Sequence, residues 1–365
     1  MPQAPVDDAG AVLFYEDSGA PPNSTEYTTI VLVHGMIFHS GTFHRLLPHA
    51  HTHNLRLVLL NMRDYPNSSP LTPADRAALS STPAAALRGL AHQLAAFMAY
   101  FVRTYEIPER TGEGKGRGGI VLSTWSFSNT LHLALLADAH LLPRETNTLL
   151  RRYWRRSVLY DPALGNIGAA VPPGVYSPLR DPSLPSPTKR IAAFSLWVSS
   201  YFPPVPPSSI PSYTLADLLA RQAQGSDNER TPSVERMSEE ERKGTASGVE
   251  EVIGGVEAMR AVPRTVYEDN TRRALWEPDV DPESDANENG EEGRMTFPEL
   301  SVLVLWFDSS IGDCIWATKL LHDAHAAASP PPRSREVEFV SVSGCNHLAH
   351  WDEPERIVRA LAEHV

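Results

Sequence analysis

Ser126 stands in the run Thr124-Trp125-Ser126-Phe127-Ser128, between an apolar stretch (GIVLS, residues 119–123) and a helically patterned segment from Asn129. At a sharp strand-to-helix turn a serine hydroxyl is lifted clear of a sheet, where it can attack an acyl carbon. The helix dipole and the backbone N–H of Phe127 can then stabilise an oxyanion beside it. Glycines usually sit two residues to either side of such a serine; here Thr124 and Ser128 take those places. The competing reading is an ordinary serine between a strand and a helix. Two further segments complete a candidate set. His34-Gly35-Met36 follows the β-branched run TTIVLV, and a tight turn at Gly35 would present the N–H of Met36 as a second oxyanion donor. Gly344-Cys345-Asn346-His347 follows VEFVSV, where a histidine can reach across strand ends to a serine on a central strand.

Other clusters carry less. His49, His51 and His53 lack a cysteine or aspartate to complete a metal set, so a solvated helix end is expected. Arg151, Arg152, Arg155 and Arg156 flank Trp154 and also read as a solvated helix end. The glycine-rich run 111–119 precedes a strand, whereas a phosphate cradle precedes a helix.

The elements that must hold these residues alternate. Strands are expected at 11–15, 28–33, 55–60, 119–123, 157–160, 302–306 and 337–342. Long helices are expected from Pro83 to about 105, over 129–139 and over 357–364. Alternation of this kind implies a mostly parallel sheet with helices on both faces and functional residues on loops at the carboxyl ends of the strands. The stretch 162–300 interrupts the pattern. Its first part holds eleven prolines between Pro172 and Pro211, with Phe194, Trp197, Tyr201 and Phe202, and reads as an ordered insertion. Residues from about 225 to 295 are polar and are expected to be largely disordered, apart from a helix over 238–261 stopped by Pro263; 277–292 carry eight carboxylates and no base.

Of the 365 residues, 42% are apolar, enough for a sizeable core. A formal charge of −12 opposes binding to nucleic acid and anionic membranes. Two cysteines are too few for a secreted disulfide framework, the first ten residues lack the pattern of a leader, and no apolar run is long enough to span a membrane. A cytoplasmic protein is expected; oligomeric state is not legible.

With these motifs in order, the chain resembles the α/β-hydrolase superfamily over most of its length outside the insertion. The resemblance rests on VLVHGM at a strand end, NMRDYPNSSP at 61–70, STWSFSN around Ser126, VLVLWFD at 302–308, and GCNHLAHWDEPERI at 344–357. It implies the α/β-hydrolase fold: residues 1–161 and 301–365 forming one core, and 162–300 a cap. It implies a serine hydrolase cleaving a small to medium apolar ester, lactone or thioester through an acyl-serine. Ser126 would be nucleophile, His347 base, and the N–H groups of Met36 and Phe127 the oxyanion hole. His34, Gly35, Trp125 and Trp197 would line the substrate pocket. No metal or organic cofactor is required, and the partner is a small-molecule substrate. The family spacing for the acid, counted from Trp306, lands on Ser310; counted back from Ile315 it favours Asp313, with Asp161 and Asp308 as alternatives. A non-catalytic binding protein, or a lyase or acyltransferase using the same site, stays open. Epoxide and haloalkane chemistry is disfavoured, because those relatives place an aspartate where Ser126 stands.

Overall fold

The β-branched and leucine-rich runs become the middle of a single sheet. Its strands are Gln3–Pro5 (β1), Val12–Asp17 (β2), Thr28–Val33 (β3), Leu55–Leu60 (β4), Ile120–Trp125 (β5), Trp154–Tyr160 (β6), Ser301–Phe307 (β7) and Val337–Val342 (β8). The computed structural model describes residues 2–112, 117–227, 229–247, 249–278, 295–328 and 334–365. The strand order is β1-β2-β4-β3-β5-β6-β7-β8, antiparallel for the first two pairings and parallel for the rest. Seven strands fall where the sequence places them; β1, three residues of which one is proline, was too short to show a period.

Strands buried on both faces distribute their side chains alternately. Val31, Val33, Val58, Leu60 and Leu122 join Leu94 and Met98 of the helix Pro83–Tyr105 on one face. Ile30, Leu32, Leu57, Leu59 and Val121 join Ile357, Val358 and Leu361 of the helix Pro354–His364 on the other. The parallel strands deliver the ends of β3, β5, β6, β7 and β8 to one edge, and the candidate residues lie there. Both cysteines are buried and unpaired. Among the described residues no helix is long and apolar enough to cross a membrane.

Between β6 and β7 the structure departs from expectation. The stretch from 225, read as largely disordered with one helix over 238–261, forms helices at Ser233–Arg236, Glu239–Thr245, Val249–Arg260 and Arg264–Leu275. Composition misled because few apolar positions are well used. The Glu239–Thr245 helix is fixed by a capping box between Ser238 and Glu241. The Arg264–Leu275 helix buries Tyr267, Ala274 and Leu275 and packs on the helix Asn129–Ala137. Its end is held by the buried guanidinium of Arg335, which donates to the carbonyls of Ala274, Phe297 and Thr296. The acidic stretch 279–294 lies outside the described residues. The arginine cluster is also corrected: Arg155 and Arg156 belong to β6, Arg155 is buried, and Arg156 pairs with Glu338.

Candidate active site

Ser126 leaves β5 with a left-handed backbone, φ 54°, before the chain turns into a 3₁₀ segment and the Asn129–Ala137 helix. A non-glycine residue in that region is strained and must be held by its surroundings. What holds it is a set of side chains in the places where glycines were expected. Thr124 Oγ1 donates to Asn129 Oδ1 (2.9 Å) and lies 2.9 Å from His132 Nδ1. Asn129 Nδ2 in turn donates to the carbonyls of Ser126 (2.8 Å) and Tyr160 (3.3 Å), tying the turn to β6. Ser128 Oγ reaches the carbonyls of Val33 and Trp125. The close approach that a glycine normally permits comes from another segment: a Cβ at Gly35 would lie 3.1 Å from Ser126 Cβ and 3.1 Å from the Trp125 ring.

The loop after β3 is strained as well. Ile37 has φ 76° and donates its N–H to Tyr65 Oη (3.0 Å), a residue of the 61–70 loop. Backbone bonds from His39 to Thr245 and from Ser247 to Ile37 strap the same loop to the inserted helices. Met36 and Phe127, the two candidate oxyanion donors, both border the cavity that opens over Ser126. Neither N–H has a hydrogen-bond partner among the described residues.

His347 sits on the loop after β8 and is almost fully buried. Its Nδ1–H donates to Asp161 Oδ2 at 2.6 Å, which leaves Nε2 with a free lone pair. The Trp125 indole lies against the imidazole with centroids 5.0 Å apart, and Trp125 Nε1–H donates to the His347 carbonyl. Asn346 anchors the loop to the insertion through Ser199 O and Ser233 Oγ. Asp161 follows β6 directly, turns at φ 46°, and is inaccessible to solvent. Its Oδ2 also accepts from Ser310 Oγ at 2.6 Å.

Of the three candidate acids, then, it is Asp161 that meets His347. Asp313, favoured by spacing, does not: it faces the cavity over Ser126, with Oδ2 3.8 Å from Arg180. Asp308 accepts from the Gly344 N–H (2.6 Å) and Ser309 Oγ, bracing the loop that carries His347. Ser310 was not among the candidate site residues. The signal was present, since the family spacing from Trp306 pointed to it; a hydroxyl there serves the carboxylate that came from the next strand. A direct Ser126–His347 hydrogen bond, expected for the pair, is not formed among the described residues. Such pairs are often open without substrate.

No family model matches the sequence, and no curated protein matches it. Solved structures do match in shape. An N-acyl homoserine lactone degrading enzyme superposes with TM-score 0.50 at 14% identity, covering 100% of both chains. A laboratory-evolved variant of potato epoxide hydrolase gives 0.50 at 13% identity, covering 99% of this chain and 98% of that one. The chain has the α/β-hydrolase fold.

Within the α/β-hydrolase fold the cavity over Ser126 measures about 350 Å³. Phe194, Trp197, Val198 and Ile311 give it an apolar wall, and most of the lining comes from between β6 and β7. Trp197, a candidate pocket residue, lies in that wall. His34, Gly35 and Trp125 are not part of the lining. His34 and Trp125 are buried beneath it, and Gly35 spaces the turn. His34 is neutral: it contacts the Gly35 carbonyl through Nδ1 and accepts from the Met62 N–H at Nε2, and burial pulls its pKa down to about 3.

Asp161, His347 and Cys314 bring one donor atom each within 4.8 Å of one another. That set does not suit a metal. Asp161 and His347 already share a proton at 2.6 Å. Burial also pushes the Cys314 thiol well above its ordinary pKa, away from the thiolate a metal needs. The triangle works instead as a hydrogen-bonded support for the imidazole.

Proposed function

We propose that the protein is a serine hydrolase acting on carboxylic esters, lactones or thioesters. The observation that carries the reading is Ser126 itself. It is a serine strained into a left-handed turn at the end of a central strand, and it borders a cavity. In this reading the free Nε2 of His347 takes the Ser126 proton as Oγ attacks the acyl carbon. Asp161 fixes the tautomer and stabilises the imidazolium. The N–H groups of Met36 and Phe127 receive the oxyanion. Collapse of the tetrahedral species expels the alcohol or thiol, protonated by His347, and leaves an acyl-serine that water hydrolyses by the same route.

The apolar wall of Phe194, Trp197 and Val198 suits an acyl group of small to medium length. The similarity to solved hydrolases supports the reading only through the fold, since one fold hosts many chemistries. A fluorophosphonate probe tests it. Wild-type protein should label, with the adduct on Ser126, and Ser126→Ala and His347→Ala should not. An unlabelled wild-type protein, or labelling that survives Ser126→Ala, sinks the reading and leaves a binding protein on the same fold.

A further inference from the structure

The cavity over Ser126 is not apolar all round. Arg180, Arg260 and Arg264 also line it, against a single lining carboxylate, Asp313. The fold spends two of the three cations differently from the third. Arg264 is paired with Glu268 at 2.8 Å and donates to the Gly168 carbonyl. Arg180 lies 3.8 Å from Asp313 and donates weakly to the Val175 carbonyl. Arg260 closes the Val249–Arg260 helix and has no hydrogen bond or ion pair among the described residues. Its guanidinium is pulled below its ordinary pKa by burial and by the repulsion of Arg180 and Arg190, partly opposed by Glu257. A partly buried guanidinium without a partner, set beside like charges, is costly unless something external neutralises it. The contrast with the whole is plain: a chain of net charge −12 lines this cavity with three arginines and one carboxylate. A local reversal of that kind draws an anion to one place while the overall field turns it away elsewhere.

We infer that the cavity takes an ester or lactone carrying a carboxylate, with the scissile carbonyl at Ser126 and the carboxylate held by Arg260 and Arg180. The forked guanidinium suits a carboxylate in two parallel hydrogen bonds. The apolar wall of Phe194 and Trp197 then packs the methylenes between the two ends. Asp313 sets the limit of the site: it neutralises part of Arg180, so it opposes the anion it lies beside.

This inference rests on the serine-hydrolase reading for its reacting end but not for its binding end, and two measurements separate them. The first compares mono-4-nitrophenyl adipate with 4-nitrophenyl hexanoate, which differ by a carboxylate in place of a methyl group. Wild-type kcat/KM should favour the adipate by about tenfold or more at low ionic strength, and the ratio should shrink in 0.5 M salt as about 3–4 Å of Debye screening sets in. Arg260→Gln should bring the ratio close to one. Asp313→Asn should raise it, a change of opposite sign that a general folding defect cannot produce. Preference for the hexanoate, or a ratio unmoved by Arg260→Gln, overturns the inference even where Ser126 labels normally. The second is calorimetry on Ser126→Ala, which needs no turnover. Monomethyl adipate should bind at least tenfold more tightly than methyl hexanoate, and Arg260→Gln in that background should abolish the difference. Equal binding of the two esters overturns the inference; tight adipate binding by a protein that never labels upholds it while the hydrolase reading fails.

Discussion

The loops that follow β6 and β7 both bring aspartates to the same edge of the sheet, and the aspartates end in opposite states. Asp161 is sealed from solvent, and one of its oxygens accepts two hydrogen bonds, from His347 and Ser310. Asp313 is also buried, and the Oδ1 of each lacks a partner among the described residues, but Asp313 Oδ2 has only Arg180 at 3.8 Å, and burial pushes its pKa up to about 6 against the pull of Arg180. Strand length explains the difference. Tyr160 pairs with Leu305, and the N–H of Asp161 donates to the Leu305 carbonyl, so the chain leaves β6 at the sheet's edge. β7 continues for two residues beyond that pairing, to Phe307, so that Asp308 accepts from the Gly344 N–H and Asp313 falls in the first turn of the next helix. Which aspartate meets His347 is set by which chain turns away first, and counting residues from a landmark tryptophan cannot register that.

The comparison can be broken most decisively at Asp161. Asp161→Asn should lower kcat on a nitrophenyl ester by about 10²–10⁴-fold, through loss of the tautomer and of imidazolium stabilisation. On a neutral ester Asp313→Asn should change it by less than about tenfold. Reversed magnitudes would return the role to Asp313.

Stability gives the second test, with a definite sign. A carboxyl whose folded pKa lies above its unfolded value binds more protons when folded. Stability therefore falls as pH rises from about 3.8 to about 6, and stays lower above that window. The shift corresponds to roughly 3 kcal/mol at most. Asp313→Asn should accordingly be more stable than the parent at pH 7–8 by up to about that amount, the gap closing near pH 4. Denaturant melts of both proteins across that range measure it, and a gap that does not vary with pH would show that Asp313 finds a partner in solution.

Smaller effects sharpen the picture. Ser310→Ala removes one charge-assisted hydrogen bond to Asp161. It should cost about tenfold in kcat with little change in KM, at the lower end of the 1.5–3 kcal/mol usual for such bonds. Cys314, 3.6 Å from His347 Nδ1 and 3.5 Å from the Asp161 carbonyl, makes weaker contacts. Cys314→Ala should lower kcat by less than about threefold. Steady-state kinetics on one ester rank all four variants.

Much of the fold was legible because its signals are local. Two-sided burial writes Ile, Val and Leu in unbroken runs, and those runs gave seven of the eight strands to within a few residues. Ser126 and His347 were legible for a related reason, since each follows such a run directly. The acid was not, because its choice depends on the relative lengths of two neighbouring strands. A helix was legible over 238–261, but its division into Glu239–Thr245 and Val249–Arg260 and the helix Arg264–Leu275 were not, because their order comes from caps and a few long-range contacts rather than from apolar content. Arg260 gave no signal at all: only the folded chain sets it beside Arg180.

Thr124 has a consequence for how this site can change. Its hydroxyl donates to Asn129 and faces Nδ1 of a buried histidine, His132, whose other nitrogen is unpartnered and whose pKa burial lowers to about 3. Thr124→Gly, the residue common at this position in such turns, would not simply relax the turn. It would leave Asn129 and His132 without a shared partner in a dry interior, at a cost of about 1–3 kcal/mol for each orphaned group. Thr124, Asn129 and His132 can therefore be exchanged only together, and a glycine at 124 is tolerated only after the other two have been replaced. The departure that made the motif hard to read is a lock set by epistasis.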